Sequence, residues 1–176
     1  MKTSIEMENQ AAHQVAALMM AAARTAPKTR GIDNIRTLTV DDEASKRKLI
    51  AKMRGIAADE NRPSIGRDAV NIEAASAVVL IGVESNTAGL NCGFCGKPTC
   101  DELEHGGGAC AFNSIDLGIA AASAAEVAGR FHIDNRMMYS IGRACLDMGL
   151  LGKGVKQALG IPLSVTGKNP FFDRKP

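Results

Sequence analysis

Four of the five cysteines lie close together in the sequence, in the spacing Cys92-x2-Cys95-x4-Cys100-x9-Cys110. A thiolate metal site needs several sulfurs that converge on one small volume. A C-x-x-C turn places two sulfurs on the same side of a tight loop, and two further cysteines can then close the site. The spacing therefore predicts a [4Fe–4S] cluster with these four residues as its ligands.

The residues between the cysteines suit the same chemistry. Gly93 and Gly96 each follow a cysteine directly, and glycine lets the backbone adopt positive φ and approach a cluster closely. Thr99 and Glu102 have the spacing of a capping box, which predicts that Cys100 opens a helix. The N-terminus of a helix favours a thiolate or an anionic cluster.

Two other chemistries remain open for this segment, namely structural zinc and a redox disulfide or unligated thiols. Zinc ribbons usually pair two C-x2-C knuckles, whereas this segment has one. His105 could replace a cysteine in a zinc site, and its alternative is a plain surface histidine. The fifth cysteine, Cys145, shares helical spacing with Ile141 and Met148, which predicts a core residue rather than a ligand or resolving thiol.

The elements that must position these cysteines follow from hydrophobic periodicity and capping signals. A capping box at Thr3 and Glu6 predicts a first helix that ends before Pro27, and Asp41 or Asp42 caps a second helix. The pattern further predicts strands at 34–40 and 77–83, a loop at 59–68, and helices at 116–127, 137–148 and 155–159. The strand at 77–83 is apolar throughout, which is typical of a strand covered on both faces.

These elements predict an α/β or α+β fold in which a sheet is flanked by helices. The chain of 176 residues is long enough to form a stable core without disulfides or a structural metal, and we expect one domain spanning 1–176. The cysteine-rich segment, 89–112, is an insertion within it. Trp is absent and aromatic residues make up 3% of the chain, so the core must consist of aliphatic residues and Met.

Composition argues against several classes of partner. The net charge of +2 is too small to steer the protein to nucleic acid, and a basic cluster at 46–54 is typical of a solvated helix face. No apolar run is long enough for a membrane span, and the N-terminus lacks the apolar core of a secretory signal. We therefore expect a cytoplasmic protein, in a reducing compartment where clustered cysteines usually bind metal.

The segment 91–100 resembles the four-cysteine [4Fe–4S] domain of bacterial and archaeal electron-transfer subunits, in which the last cysteine generally lies further along the chain than Cys110 does. Nearly the whole chain resembles a family of prokaryotic ferredoxin-domain proteins that has no assigned activity. The resemblance rests on the cysteine segment and on residues 21–28, 31–34, 67–72, 110–112, 115–120, 133–139 and 161–174.

The order of elements also resembles the flavin-dependent nitroreductase fold. In that fold, basic side chains near both termini hold the FMN phosphate, and two chains share each site. The resemblance implies a homodimer and a possible FMN site. Because the usual Arg-rich start is missing here, Arg24, Lys28 and Arg30 around Pro27 would substitute, with Arg174 adding to them. The alternative for this basic turn is a plain solvated turn.

The leading functional hypothesis is a redox protein, an electron carrier or reductase, that passes electrons through its cluster to a redox partner protein or a small acceptor. The alternative is a non-catalytic module in which a cluster or zinc only holds residues 89–112 in shape. The three histidines are scattered, so the sequence offers no nucleophile–base pair. No G-x-G-x-x-G follows a strand, which gives no support to a Rossmann dinucleotide site.

Overall fold

The computed structural model of the protein describes residues 1–172 and is built around one four-stranded antiparallel sheet. Its strands are β1 (Ile35–Val40), β2 (Ala77–Glu84), β3 (Asp134–Asn135) and β4 (Val155–Ser164). They lie in the order β1-β2-β4-β3, so β2 and β4 form the centre. The predicted mixed fold with a helix-flanked sheet is confirmed.

Helices cover both faces of this sheet. They are α1 (Ser4–Thr25), α2 (Glu43–Asp59), α3 (Pro63–Asn71), α4 (Cys100–His105), α5 (Ala111–Arg130) and α6 (Tyr139–Asp147), and a short 3-10 turn spans Thr29–Gly31. Side chains of α1 and α5 pack in the core on one face of the sheet. Those of α2, α3 and α6 pack in the core on the other face, which gives three layers.

The first two helices begin where their capping signals predict. The Thr3 backbone N–H donates to Glu6 Oε2 at 2.6 Å, and the Glu6 N–H donates back to Thr3 Oγ1 at 3.3 Å. Helix α1 ends at Thr25, ahead of Pro27 as predicted. Asp42 caps α2 by accepting a hydrogen bond from the Ser45 N–H at 2.8 Å. Local polar chemistry alone therefore sets these boundaries.

Strand β2 is buried on both faces, as its continuous apolar sequence predicts. Val79, Ile81 and Val83 belong to the core beneath α1 and α5. Val78 and Leu80 belong to the core beneath α2, α3 and α6. Because side chains alternate along a strand, one apolar run supplies both cores, and this strand fixes the positions of the two helical layers.

Two stretches differ from their predicted structure. The predicted loop at 59–68 is largely helix α3, because Pro63 sits at the first helical position, where a missing N–H costs nothing. The predicted helix at 155–159 is instead the start of strand β4, which pairs with β2 from Val155 to Leu163. The predicted helix at 137–148 begins only at Tyr139, because Met138 exchanges backbone hydrogen bonds with Gly160 of β4.

Small residues allow close packing inside the chain. The alanines of α5 at 120, 121, 124 and 128 are fully buried in the core shared with α1. The Ala-rich face of α5 is therefore used within one chain. None of the helices in the described part of the chain is long and apolar enough to cross a membrane.

Candidate metal centre

All four clustered cysteines line a single pocket. Cys92 and Cys95 lie on the loop after β2, Cys100 is the first residue of α4, and Cys110 is the residue before α5. The pocket is partly open to solvent. Its remaining lining includes Leu90, Asn91, Phe94, Leu103, Ala111 and Phe112. The fold thus brings together side chains that are up to 18 positions apart in the sequence.

The four cysteines range from the surface to the interior. Cys92 is exposed, Cys95 and Cys100 are half-buried, and Cys110 is buried, and all are free thiols. The rings of Phe94 and Phe112 pack against each other with centroids 5.5 Å apart. A group held by these thiols would therefore lie close to solvent on the side of Cys92 and Phe94 and close to the interior on the side of Cys110.

The chemistry of the donor set fits an iron–sulfur cluster, because four thiols and no carboxylate line the pocket. In the loop between the first two cysteines, Gly93 has φ 71 and Gly96 has φ 81, and the Gly96 N–H donates to the Gly93 carbonyl at 2.9 Å. Within residues 1–172, no three His, Cys, Asp or Glu side chains lie close enough to hold one metal ion. Ligation by these cysteines therefore stays a prediction.

His105 lies at the end of α4 and is exposed. Its Nδ1 lies 2.7 Å from the Asp101 carbonyl oxygen, and since a carbonyl only accepts, this nitrogen carries the proton. His105 does not line the cysteine pocket. His105 is therefore a surface residue that makes a hydrogen bond to a backbone carbonyl of its own helix.

Two buried polar residues of α5, which sequence reasoning missed, fix the position of Cys110. Asn113 donates from Nδ2 to the carbonyls of Glu84 at 3.0 Å and Asn86 at 2.6 Å. Asp116 accepts hydrogen bonds from the Thr29 N–H at 3.1 Å and the Thr29 hydroxyl at 3.0 Å. These bonds tie the first turns of α5 to the end of β2 and to the 3-10 turn.

The basic turn after α1 is folded onto the protein. The Lys28 ammonium donates to the carbonyls of Ala23, Arg24 and Ala26 at 2.6–3.1 Å, and its side chain is 5% exposed. It thereby satisfies carbonyls that the end of a helix leaves without partners. Arg24 pairs with Asp33 and donates to the Ile35 carbonyl.

Arg30 connects this turn to the cysteine segment. It has φ 58, and its guanidinium donates to the Ala88 carbonyl at 2.8 Å. Flavin contacts by Arg24, Lys28 and Arg30 therefore stay a prediction, one that requires some of these bonds to be exchanged for a phosphate. Arg174 lies outside the described residues.

A second, polar cleft lies on the other side of Cys110. It is lined by Ser85, Asn86, Thr87, Glu104, Gly107, Gly108, Ala109, Cys110, Lys156 and Gln157. The Thr87 hydroxyl donates to Glu104 Oε1 at 2.7 Å across this cleft. Because Cys110 lies in the wall of both cavities, a small molecule in the polar cleft would be next to the cysteine pocket.

Cys145 lines neither of these cavities and is fully buried in the core beneath α2, α3 and α6. Burial raises the pKa of its thiol to about 11. The thiol therefore stays protonated at neutral pH, and a protonated thiol is neither a good nucleophile nor a ligand. The predicted core role of Cys145 is confirmed by this burial.

The comparisons with known proteins identify the family. Residues 106–174 match the model of a family described as an uncharacterized protein containing a ferredoxin domain (DUF2148). An uncharacterized protein of Archaeoglobus fulgidus is 42% identical over 173 residues, which cover 93% of this chain and 92% of that protein. The chain belongs to this ferredoxin-domain family. The residues of this chain that match the family model include Cys110 and begin after Cys100.

The fold of this chain is similar to that of solved nitroreductase structures. A nitroreductase with bound FMN from Desulfitobacterium hafniense superposes with a TM-score of 0.59 at 14% identity, covering 96% of this chain and 80% of that one. A putative NADH dehydrogenase/NAD(P)H nitroreductase from Bacteroides thetaiotaomicron gives 0.58 at 12% identity, with 89% and 77% covered. At such identities the likeness establishes the nitroreductase fold alone, as the order of elements predicted.

Proposed function

We propose that the protein is an iron–sulfur redox protein whose [4Fe–4S] cluster is held by Cys92, Cys95, Cys100 and Cys110. The observation that carries the proposal is the single pocket lined by all four thiols. Membership of a ferredoxin-domain family supports it, because ferredoxin domains hold iron–sulfur clusters. When bound, such a cluster accepts and donates single electrons.

The residues around the pocket suit a low-potential site that electrons can reach. Asp101 and Glu102 lie in the first turn of α4, beside Cys100. Nearby negative charge disfavours the reduced, more negative cluster and so lowers its reduction potential. Cys92 and Phe94 are exposed, so a redox partner protein can approach on that side, while a small acceptor can enter the polar cleft beside Cys110.

The test of this function is voltammetry of the anaerobically purified protein. We expect a reversible reduction that survives repeated cycles, with circular dichroism unchanged between the oxidised and reduced states. A reduction that unfolds residues 89–112 or releases the metal would contradict electron transfer. It would favour the second candidate, a non-catalytic module with a structural cluster or zinc.

A flavin is the second proposed cofactor, by analogy with the two structural relatives named for FMN, the Desulfitobacterium nitroreductase and an oxidoreductase containing FMN. Arg30 is the basic residue of the turn that is best placed to contribute, since Lys28 is enclosed by carbonyls. A phosphate dianion needs cationic or helix-terminal donors.

The same analogy supports a homodimer, and the exposed Ile115 and Ile119 on α5 offer an apolar surface for it.

The flavin proposal predicts that FMN fluorescence is quenched on titration with the protein. Arg30→Ala should weaken binding about tenfold, or about 1.4 kcal/mol, because one phosphate contact is lost. Arg62→Ala is the matched control, since Arg62 is exposed, pairs with the nearby Glu60 and lies at the start of α3. No binding at ~100 μM FMN, or a monomer by light scattering, would contradict the flavoenzyme analogy.

A further inference from the structure

Asn91 and Cys100 are joined by a reciprocal pair of hydrogen bonds. The backbone N–H of Asn91 donates to Cys100 Sγ at 3.4 Å. The backbone N–H of Cys100 donates to Asn91 Oδ1 at 2.8 Å. One residue thus holds both the backbone and the sulfur of a residue nine positions further along the chain, and it joins the loop that carries Cys92 to the start of α4.

The residue type suits this position for two separate reasons. Asn91 has φ 46, in the left-handed region, which asparagine tolerates better than most residues with a side chain. Its side-chain oxygen also accepts the Cys100 N–H, which is one of the donors that the first turn of a helix leaves without an intrahelical partner. Glycine would satisfy the first requirement only, and aspartate would satisfy both.

Helix α4 has its own cap and does not depend on Asn91 to form. Thr99 Oγ1 accepts a hydrogen bond from the Glu102 N–H at 3.2 Å, which satisfies the usual N-cap interaction. The two hydrogen bonds between Asn91 and Cys100 involve the residue after this cap, and one of them is made to the thiol itself. Their effect should therefore fall on the position of Cys100 Sγ more than on the stability of the helix.

We propose that Asn91 is a positioning residue for Cys100, which fixes the sulfur toward the pocket and donates a backbone hydrogen bond to it. The inference rests on the proposed function, because it assigns Cys100 as a ligand. Nothing in the spacing of the cysteines indicates this role, since it depends on a side chain that precedes the first C-x-x-C cysteine. A thiol held in place also loses less conformational freedom when it binds metal.

Three variants separate the side-chain bond from backbone conformation. Asn91→Gly keeps the left-handed backbone and removes the oxygen, whereas Asn91→Asp keeps an oxygen in the same place. Asn61→Gly is the matched control, because Asn61 also has positive φ, at 50, and lies between α2 and α3, away from the cysteines. Each variant is compared with the wild-type protein, both with and without its cluster.

In the cluster-free protein, the measurement is the alkylation rate of Cys100 relative to that of Cys92, followed by peptide mass spectrometry. We expect Asn91→Gly to raise this ratio about three- to tenfold, which is the effect of losing one hydrogen bond. Asn91→Asp should give a ratio at or below that of the wild type, and Asn61→Gly should leave it unchanged. An unchanged ratio in Asn91→Gly would overturn the proposal.

In the cluster-loaded protein, Asn91→Gly should speed loss of the cluster in air several-fold and shift the reduction potential to more negative values. Glycine keeps the backbone N–H that donates to Cys100 Sγ, but this N–H···S bond weakens because the side-chain bond no longer holds the two residues together. Asn91→Asp should keep its cluster as long as the wild type does, and Asn61→Gly should have no effect. Faster cluster loss in Asn91→Asp, or an equal effect of Asn61→Gly, would contradict the proposal. If the wild-type protein holds no cluster, the function fails, while the alkylation ratio still decides whether Asn91 positions Cys100.

Discussion

Replacing Cys110 by serine should abolish the iron–sulfur cluster, with iron and acid-labile sulfide falling at least about tenfold below wild-type levels. Cys110 is the residue before α5 and makes no side-chain cap there, and serine is a favourable residue at that position. Cys110→Ser should therefore preserve the helix while it removes the ligand. The measurement is iron and sulfide content together with visible absorbance after anaerobic purification.

The same loss is expected for serine at Cys92, Cys95 and Cys100, which line the same pocket. Cys145→Ala is the matched control, because that thiol is buried in the opposite core and is held protonated by a raised pKa. It should retain a full cluster. A Cys110→Ser protein that keeps its iron and sulfide would remove Cys110 from the ligand set.

Gly142→Ala should destabilise the protein by about 3 kcal/mol or more, the upper end of the cost of overpacking. A Cβ at this position would lie 1.8 Å from the backbone carbonyl oxygen of Ala158, so α6 or β4 must move. Since about 1 kcal/mol corresponds to a change in Tm of about 2–4 °C for a chain of this size, Tm should fall by roughly 6–12 °C. Thermal unfolding followed by circular dichroism measures this change.

Gly55→Ala provides the control for that substitution. Gly55 lies within α2, and a Cβ there would meet no atom within 4 Å. Alanine in a helix interior is favoured over glycine by about 1 kcal/mol, so this variant should be equally or more stable. Equal Tm values for the two variants would show that α6 and β4 leave room for a Cβ at position 142.

The parts of the fold that sequence predicts are those set by local chemistry. Capping residues mark the start of α1 and α2, and the apolar run of β2 indicates a buried strand. Strand β4 is different, because it forms by pairing with β2, which lies some 80 positions earlier in the chain. Gly160 and Pro162 resemble a helix stop in isolation, yet Gly160 is needed for close contact with Ile141.

The candidate site also has features that the sequence predicts and features that only the fold reveals. The cysteine spacing and its glycines can be recognised because they lie in one short segment. The roles of Asn91, Asn113 and Asp116 cannot, since each depends on a partner placed by the fold, such as Thr29 for Asp116. For Lys28 the sequence suggests a role that the fold does not favour. Its positive charge suggests a phosphate ligand, yet its ammonium is enclosed by carbonyls at the end of α1.

Anaerobic purification followed by analysis for iron, sulfide, zinc and flavin tests directly whether the protein holds an iron–sulfur cluster. We expect a brown protein with broad absorbance near ~400 nm that contains about four iron and four sulfide per chain. Purification without oxygen matters, because exposed clusters are lost in air and Cys92 is exposed. A colourless protein with one bound zinc would contradict an iron–sulfur cluster on these cysteines.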